Sequence, residues 1–98
     1  MIRGLVNEIA LDQSNHTNSD AVSLGVNVLS VTVRCSSDSN NNVWVGWNKP
    51  ANNTNILQPS ESQDIYDYRV CLDGNKLYVG FDPSGTGGRA LITFITSS

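Results

Sequence analysis

The stretch Val22-Ser23-Leu24-Gly25-Val26-Asn27-Val28-Leu29-Ser30-Val31-Thr32-Val33-Arg34-Cys35 alternates apolar and polar residues in two successive phases. Leu24, Val26 and Val28 alternate with Ser23, Gly25 and Asn27; Leu29, Val31, Val33 and Cys35 then alternate with Ser30, Thr32 and Arg34. A period of two belongs to a strand with one face in a core. The phase changes between Val28 and Leu29. In an unbroken strand that change would turn the core residues outward, so a bulge or break is expected there.

Downstream, short strand patterns recur between turn signals. Val43 to Asn48 (VWVGWN) follows the polar turn Ser36 to Asn42 and precedes the loop Lys49 to Asn55. Ile56 and Leu57 lead into a turn at Gln58-Pro59-Ser60-Glu61-Ser62, and Ile65 to Tyr68 is a short extended piece. Arg69 to Phe81 reads as a hairpin turning at Asp73-Gly74-Asn75, because Asp-Gly tolerates the positive φ of a tight turn. After the loop Asp82 to Gly88 comes the final strand, Arg89 to Thr96 (RALITFIT). This spacing predicts a small antiparallel all-β domain, a β-sandwich or jelly roll, over residues 21–98. Upstream, Ile2, Leu5, Val6 and Ile9 fit either a short amphipathic turn or an extended arm. The polar run Asp12 to Asp20 (DQSNHTNSD) favours an N-terminal arm over residues 1–20, detached from the sandwich.

The chain has 98 residues, enough for one domain with a thin stability margin. Charged residues make up only 15% of it, while Asn, Ser and Thr supply 30 residues and carry the solubility instead. Such a surface is common in extracellular and virion proteins. The net charge is −3, and the six cations, Arg3, Arg34, Lys49, Arg69, Lys76 and Arg89, are scattered, so the electrostatic footprint of a nucleic-acid binder is missing. The start holds no long apolar segment of the signal-peptide kind, and no stretch is long enough to span a membrane. A protein that folds in the cytosol, and reaches the outside by lysis if at all, is expected.

No motif carries catalysis. Cys35 and Cys71 with the single His16 fall short of the four ligands of a structural zinc site. The two cysteines either form a disulfide, closing a loop of roughly 37 residues and contributing about 3–4 kcal/mol, or remain reduced and pack as small apolar groups. Asp64, Asp67, Asp73 and Asp82 lack the spacing of a calcium loop. Gly85-Thr86-Gly87-Gly88 lacks the Lys-Ser/Thr end of a phosphate loop and reads as a flexible connection. Asn15-His16-Thr17 and Asn52-Asn53-Thr54 fit the glycosylation pattern by chance. An enzyme is not expected, and neither is a cofactor or a metal.

Two segments point instead to contacts. Trp44 and Trp47 fall on opposite faces of one strand; Trp47 shares its face with Val43 and Val45 and is assigned to the core, so Trp44 faces outward. An outward Trp calls for a ligand, a protein interface or a covering loop. In the final strand Ala90, Ile92 and Phe94 line one face and Leu91, Thr93 and Ile95 the other, and both faces are apolar. Another subunit is the simplest cover, and a homotrimer is expected.

Val31-Thr32-Val33, the Asn-rich turn, Val43-Trp44-Val45-Gly46 and Asn55-Ile56-Leu57-Gln58-Pro59-Ser60-Glu61-Ser62 together resemble a pattern in small tailed-bacteriophage virion accessory proteins: a VTV strand, a V-Y/W-V-G strand and an L-x-P-G-E-S turn. The resemblance covers roughly residues 24–81. Trp44 stands where Tyr is more usual. Ser60 stands where the pattern has Gly, which implies a turn that does not demand a strongly positive φ there. The resemblance implies a non-enzymatic virion protein of the capsid decoration (cement) or fibre-like β-sandwich kind, assembled in the host cytoplasm. The partners implied are its own copies and the major capsid protein or another virion protein, with neither nucleic acid nor membrane. Ile2, Leu5, Val6, Ile9, Trp44, Leu91 and Ile95 are the expected interface residues. The alternatives are a carbohydrate-binding β-sandwich module, with Trp44 or Tyr66 and Tyr68 stacking on a glycan, and a tail or fibre adaptor.

Overall fold

The computed structural model describes residues 4–18, 20–22, 24, 28–47, 50–65 and 76–97. Among the described residues eight strands divide between two sheets: β1 (Gly4–Asp12), β2 (Ala21–Val22), β3 (Val28–Cys35), β4 (Val43–Trp47), β5 (Ile56–Leu57), β6 (Ser62–Ile65), β7 (Leu77–Phe81) and β8 (Arg89–Ser97). One sheet runs β1-β8-β3-β6 and the other β2-β7-β4-β5, with every neighbouring pair antiparallel. The chain thus builds a β-sandwich, and the interleaved strand order is that of an eight-stranded jelly roll.

The core follows the alternation read from the sequence. Val31, Val33 and Cys35 of β3 meet Ala90, Ile92 and Phe94 of β8 on one inner face. Val43 and Val45 of β4, Leu57 of β5, and Leu77, Val79 and Phe81 of β7 supply the other. Each large side chain fully buried here contributes about 1.5–3 kcal/mol. The phase change is absorbed where expected: the β3–β8 register shifts between Val28 and Ser30. Val28 and Val31 are buried while Leu29 and Ser30 both lie on the outer side, so one extra residue restores the inward set.

Two expectations need correction. The segment expected as a detached arm belongs to the sheet, since β1 pairs with β8 without interruption from Gly4↔Ser97 to Asp12↔Arg89. Ile9 and Leu11 pack against the core while Glu8, Ala10 and Asp12 are exposed, a period of two hidden by its low contrast. The polar run after it is tied down by side chains: His16 Nε2–H donates to the Val79 carbonyl (2.7 Å) and Asn18 bonds the main chain of Phe81.

The second correction is at Ser60, whose φ is +75°. The Glu61 N–H donates to the Gln58 carbonyl (2.9 Å), with Pro59 and Ser60 between them. This is a type II turn, which demands positive φ at its third residue and favours Gly there. Ser60 accepts the strain because the turn is over-determined. Its N–H donates to the Cys35 carbonyl, the Cys35 N–H donates to the Glu61 carbonyl, and the Glu61 carboxylate accepts the Gln58 N–H (2.7 Å). Residues 69–75 of the expected hairpin, with its turn at Asp73-Gly74-Asn75, and Tyr66 and Tyr68 lie outside the described residues.

Candidate functional site

The outer face of β2-β7-β4-β5 is shaped by strand parity. Val43 and Val45 point into the core, so Trp44 points out and is half-exposed. Leu77, Val79 and Phe81 likewise turn Tyr78 outward. Across the ladder Trp44 faces Gly80 on one side and Ile56 on the other, while Tyr78 faces Gly46 and Ala21. Each aromatic therefore has a glycine beside it, and the two rings sit on a diagonal, a spacing of about 7–8 Å between Cα atoms. Ile56, 44% exposed, extends the apolar surface.

Gly80 has a specific reason to be glycine. A Cβ there would meet the Asn18 carboxamide at 2.8 Å. Asn18 lies over it because its amide replaces a strand backbone: Nδ2 donates to the Phe81 carbonyl (2.7 Å) and Oδ1 accepts the Phe81 N–H (2.9 Å). The carboxamide thus continues β2 along β7 and forms a polar rim to the Trp44 face. Sequence reasoning found Trp44 but missed Tyr78, although the LYVGF alternation held the signal; nothing in the sequence indicated where Asn18 points.

The outer face of β1-β8-β3-β6 carries a second apolar group. Val6, Ile95 and Ser30 form one cross-strand row, with the bulged Leu29 beside it; Val6 is 72% and Leu29 45% exposed. The next row, Glu8, Thr93, Thr32 and Asp64, is polar, and Thr32 Oγ1 donates to Asp64 Oδ1 (2.8 Å). Leu91 and Ile95 are half-buried on this outer side of β8. Of the other expected interface residues, Val6 and Trp44 are at the surface, whereas Ile9 faces the core because its neighbours in β1 take the outward positions. Ile2 and the side chains of Leu5 and Trp47 lie outside what is described.

The loop end is polar and closely tied. Gln13 Nε2 donates to the Gly85 carbonyl (2.8 Å), and Gln13 Oε1 accepts from Asn41 Nδ2 and the Gly88 N–H, both at 3.0 Å. Asn41 Nδ2 also donates to the Asp82 carbonyl (2.8 Å) and its Oδ1 accepts the Asn42 N–H (2.9 Å). Ser39 Oγ donates to the Asn41 carbonyl and accepts the Arg89 N–H. The segment expected as a flexible connection, residues 85–88, is instead held at several points. A Cβ on Gly88 would collide with the buried Phe81 ring, so the loop can close there only with glycine. A depression of about 360 Å³ at this end is lined by Asp12, Gln13, Ser14, Thr86, Gly87 and Gly88.

Three ionisable groups among the described residues are shifted by their surroundings. Burial pushes the Cys35 thiol above its ordinary value; the thiol is free and donates to the Asn41 carbonyl. Cys71 lies outside the described residues. The Ser36 hydroxyl holds the Asp38 carboxylate below its usual range, with Arg89 adding to the effect. The Ser84 N–H, then its hydroxyl, does the same for Asp82. Asn52 accepts from the Thr54 N–H and hydroxyl within its own exposed loop. Among the described residues no three His, Cys, Asp or Glu side chains are placed to hold a metal ion. What the surface offers chemically is apolar contact area on both sheets. No protein-family model and no curated protein matches the chain.

Proposed function

We propose that this chain is a non-enzymatic structural protein of a tailed-phage virion, a capsid decoration protein that self-associates and binds the major capsid protein. The observation that carries this reading is the Trp44–Tyr78 face, where two half-exposed aromatics stand on neighbouring strands of one sheet, with Ile56 extending the apolar surface and the part-exposed Gly46 beside Tyr78. Aromatic residues on such a platform are the usual anchors of protein interfaces. The turn at Pro59-Ser60-Glu61 supports the resemblance to the virion pattern, because the position where that pattern has Gly takes a positive φ.

The mechanism is physical. Burial at the shell stabilises by about 25 cal/mol per Å² of apolar surface before association costs. Repetition over many copies then multiplies a modest affinity. A jelly roll held by many polar ties presents its contact faces without rearrangement, which limits the ordering cost of attachment.

Purified capsids lacking the protein provide the test. Added protein should co-sediment saturably and raise the temperature at which shells open, and Trp44→Ala should abolish both effects. No co-sedimentation with shells would overturn the reading. A second reading, a carbohydrate-binding module, is favoured by the same aromatic pair. Saturable quenching of tryptophan fluorescence by an oligosaccharide, lost in Trp44→Ala and Tyr78→Ala, would establish it instead.

A further inference from the structure

The edges of the two sheets differ in kind. β2 and β5 are two residues each and β6 is four, whereas β1 runs for nine residues along the open side of its sheet. Where β2 stops short, the side chains of His16 and Asn18 bond the carbonyls of Val79 and Phe81 and the Phe81 N–H. Of the devices that blunt an edge, β1 carries only the charges of Glu8 and Asp12: its residues 4–12, GLVNEIALD, contain neither Pro nor Lys, its register with β8 is unbroken, and no other described strand pairs with its far side.

The direction of its open main-chain groups follows from one bond. The Gln13 N–H donates to the Gly88 carbonyl, one step beyond the Asp12↔Arg89 pair. Bonding alternates along an antiparallel pair, so the odd-numbered residues of β1 bond β8. The N–H and C=O of Gly4, Val6, Glu8, Ala10 and Asp12 therefore point to the open edge. Val6 is also the most exposed of the large apolar residues described, 72%, and it stands in line with Ile95, beside which lies the bulged Leu29.

We infer that two copies of this chain pair antiparallel through β1, about a two-fold axis at Val6, so that the two sheets become one of eight strands. Centring on Val6 sets the two valines opposite each other and Glu8 opposite Gly4, which has no side chain. It forms about six main-chain hydrogen bonds and joins the two Val6–Ile95 rows into one apolar line. Centres further along the strand fit worse. Asn7 sets Val6 against Glu8, Glu8 sets two carboxylates together, Ile9 sets Val6 against Asp12, and Ala10 sets Glu8 against Asp12. The occupant is a second copy because an open strand needs a strand as partner and this register is self-complementary. The pairing deepens and rests on the self-association in the proposed function, and it replaces the expected three-fold symmetry with two-fold.

Sedimentation equilibrium of the full chain over a concentration series is the test. The wild type is expected as a dimer. Val6→Pro spares the β8 bonds, because the Val6 N–H points away from β8, yet removes an edge donor and should weaken association about tenfold or more. Val6→Lys should do the same and decides the matter if Val6→Pro loses its circular-dichroism signature. Ala10→Pro, beyond the paired residues 4–8, should leave the dimer intact. A monomer at high concentration, a trimer, or a dimer that survives both Val6 variants would overturn the inference, as would dissociation by Ala10→Pro. Capsid co-sedimentation is scored separately: a Val6-dependent dimer that ignores capsids supports the pairing and counts only against the decoration reading.

Discussion

At the loop end, the Gln13 side chain engages four groups, on Gly85, Asp82, Gly88 and Asn41, and Asn41 reaches three residues in turn. On the outer sheet faces, Val6, Leu29 and Ile56 are well exposed and Trp44 and Tyr78 are half-exposed. Around the apolar core, amides and hydroxyls tie the loops together, and further apolar side chains are left on the outer faces for contact. A polar scaffold of this kind is specific because each bond requires one partner in one direction, and an unmade bond at a buried group costs about 1–3 kcal/mol. Apolar surface makes no such demand and remains free for another molecule.

The comparison breaks hardest beneath the loops. Phe81 is buried under Gly88, and Phe81→Ala should cost about 3–5 kcal/mol of folding stability in denaturant titration, from lost burial and a cavity. On the contact side, Trp44→Ala should weaken association with the shell by about 2 kcal/mol or more while folding stability changes far less. Equal losses in both assays would mean that this face is covered within the chain. Asn41→Ala should cost about 1–3 kcal/mol, because Gln13 Oε1 and the Asp82 carbonyl lose a donor. Amide exchange at Gly88 and Asn42 should rise in that variant. Ser60→Gly should stabilise by about 0.5–1 kcal/mol, the relief of left-handed strain outweighing the added freedom of the unfolded chain.

The smallest effect is with pH. The carboxyls of Asp38 and Asp82 are held below their ordinary range in the folded chain, so the unfolded chain binds protons first on acidification. Their stabilisation is complete above the ordinary carboxylate range and is lost as pH falls through their lowered native values. Thermal unfolding of Asp82→Asn should therefore depend less on acid pH than that of the wild type.

How far the sequence could be read depended on contrast. Val31 and Val33 alternate with Ser30, Thr32 and Arg34, Val43 and Val45 share one parity against Trp44 and Gly46, and all four valines are buried as that parity predicts, whereas β8 is apolar on both faces and its choice of Ala90, Ile92 and Phe94 for the core was not legible. The bulge after Val28 was legible for the same reason. β1 was not, because Ala10 and Val6 face outward and blur the period. Residues 12–20 looked like a linker because polarity alone does not say where an amide points; Gln13, His16 and Asn18 turn back onto β7 and the loops. At the candidate site Trp44 could be found by parity, whereas the pairing of Trp44 with Gly80 and Tyr78 with Gly46 depends on a register between strands more than thirty residues apart.

The position of β8 has a consequence for how the molecule comes into being. Of the eight strands it is synthesised last, yet it lies between β1 and β3 and bonds both. Until Arg89 to Ser97 have left the ribosome, β1 has no neighbour to pair with and the inner faces of β3 and β4 lack the Ile92 and Phe94 side chains. Until then the partly made sandwich exposes those inner faces, and its many Asn, Ser and Thr side chains favour solubility. Closure then joins β1 to β8, two strands far apart along the chain, the kind of long-range pairing that folds slowly.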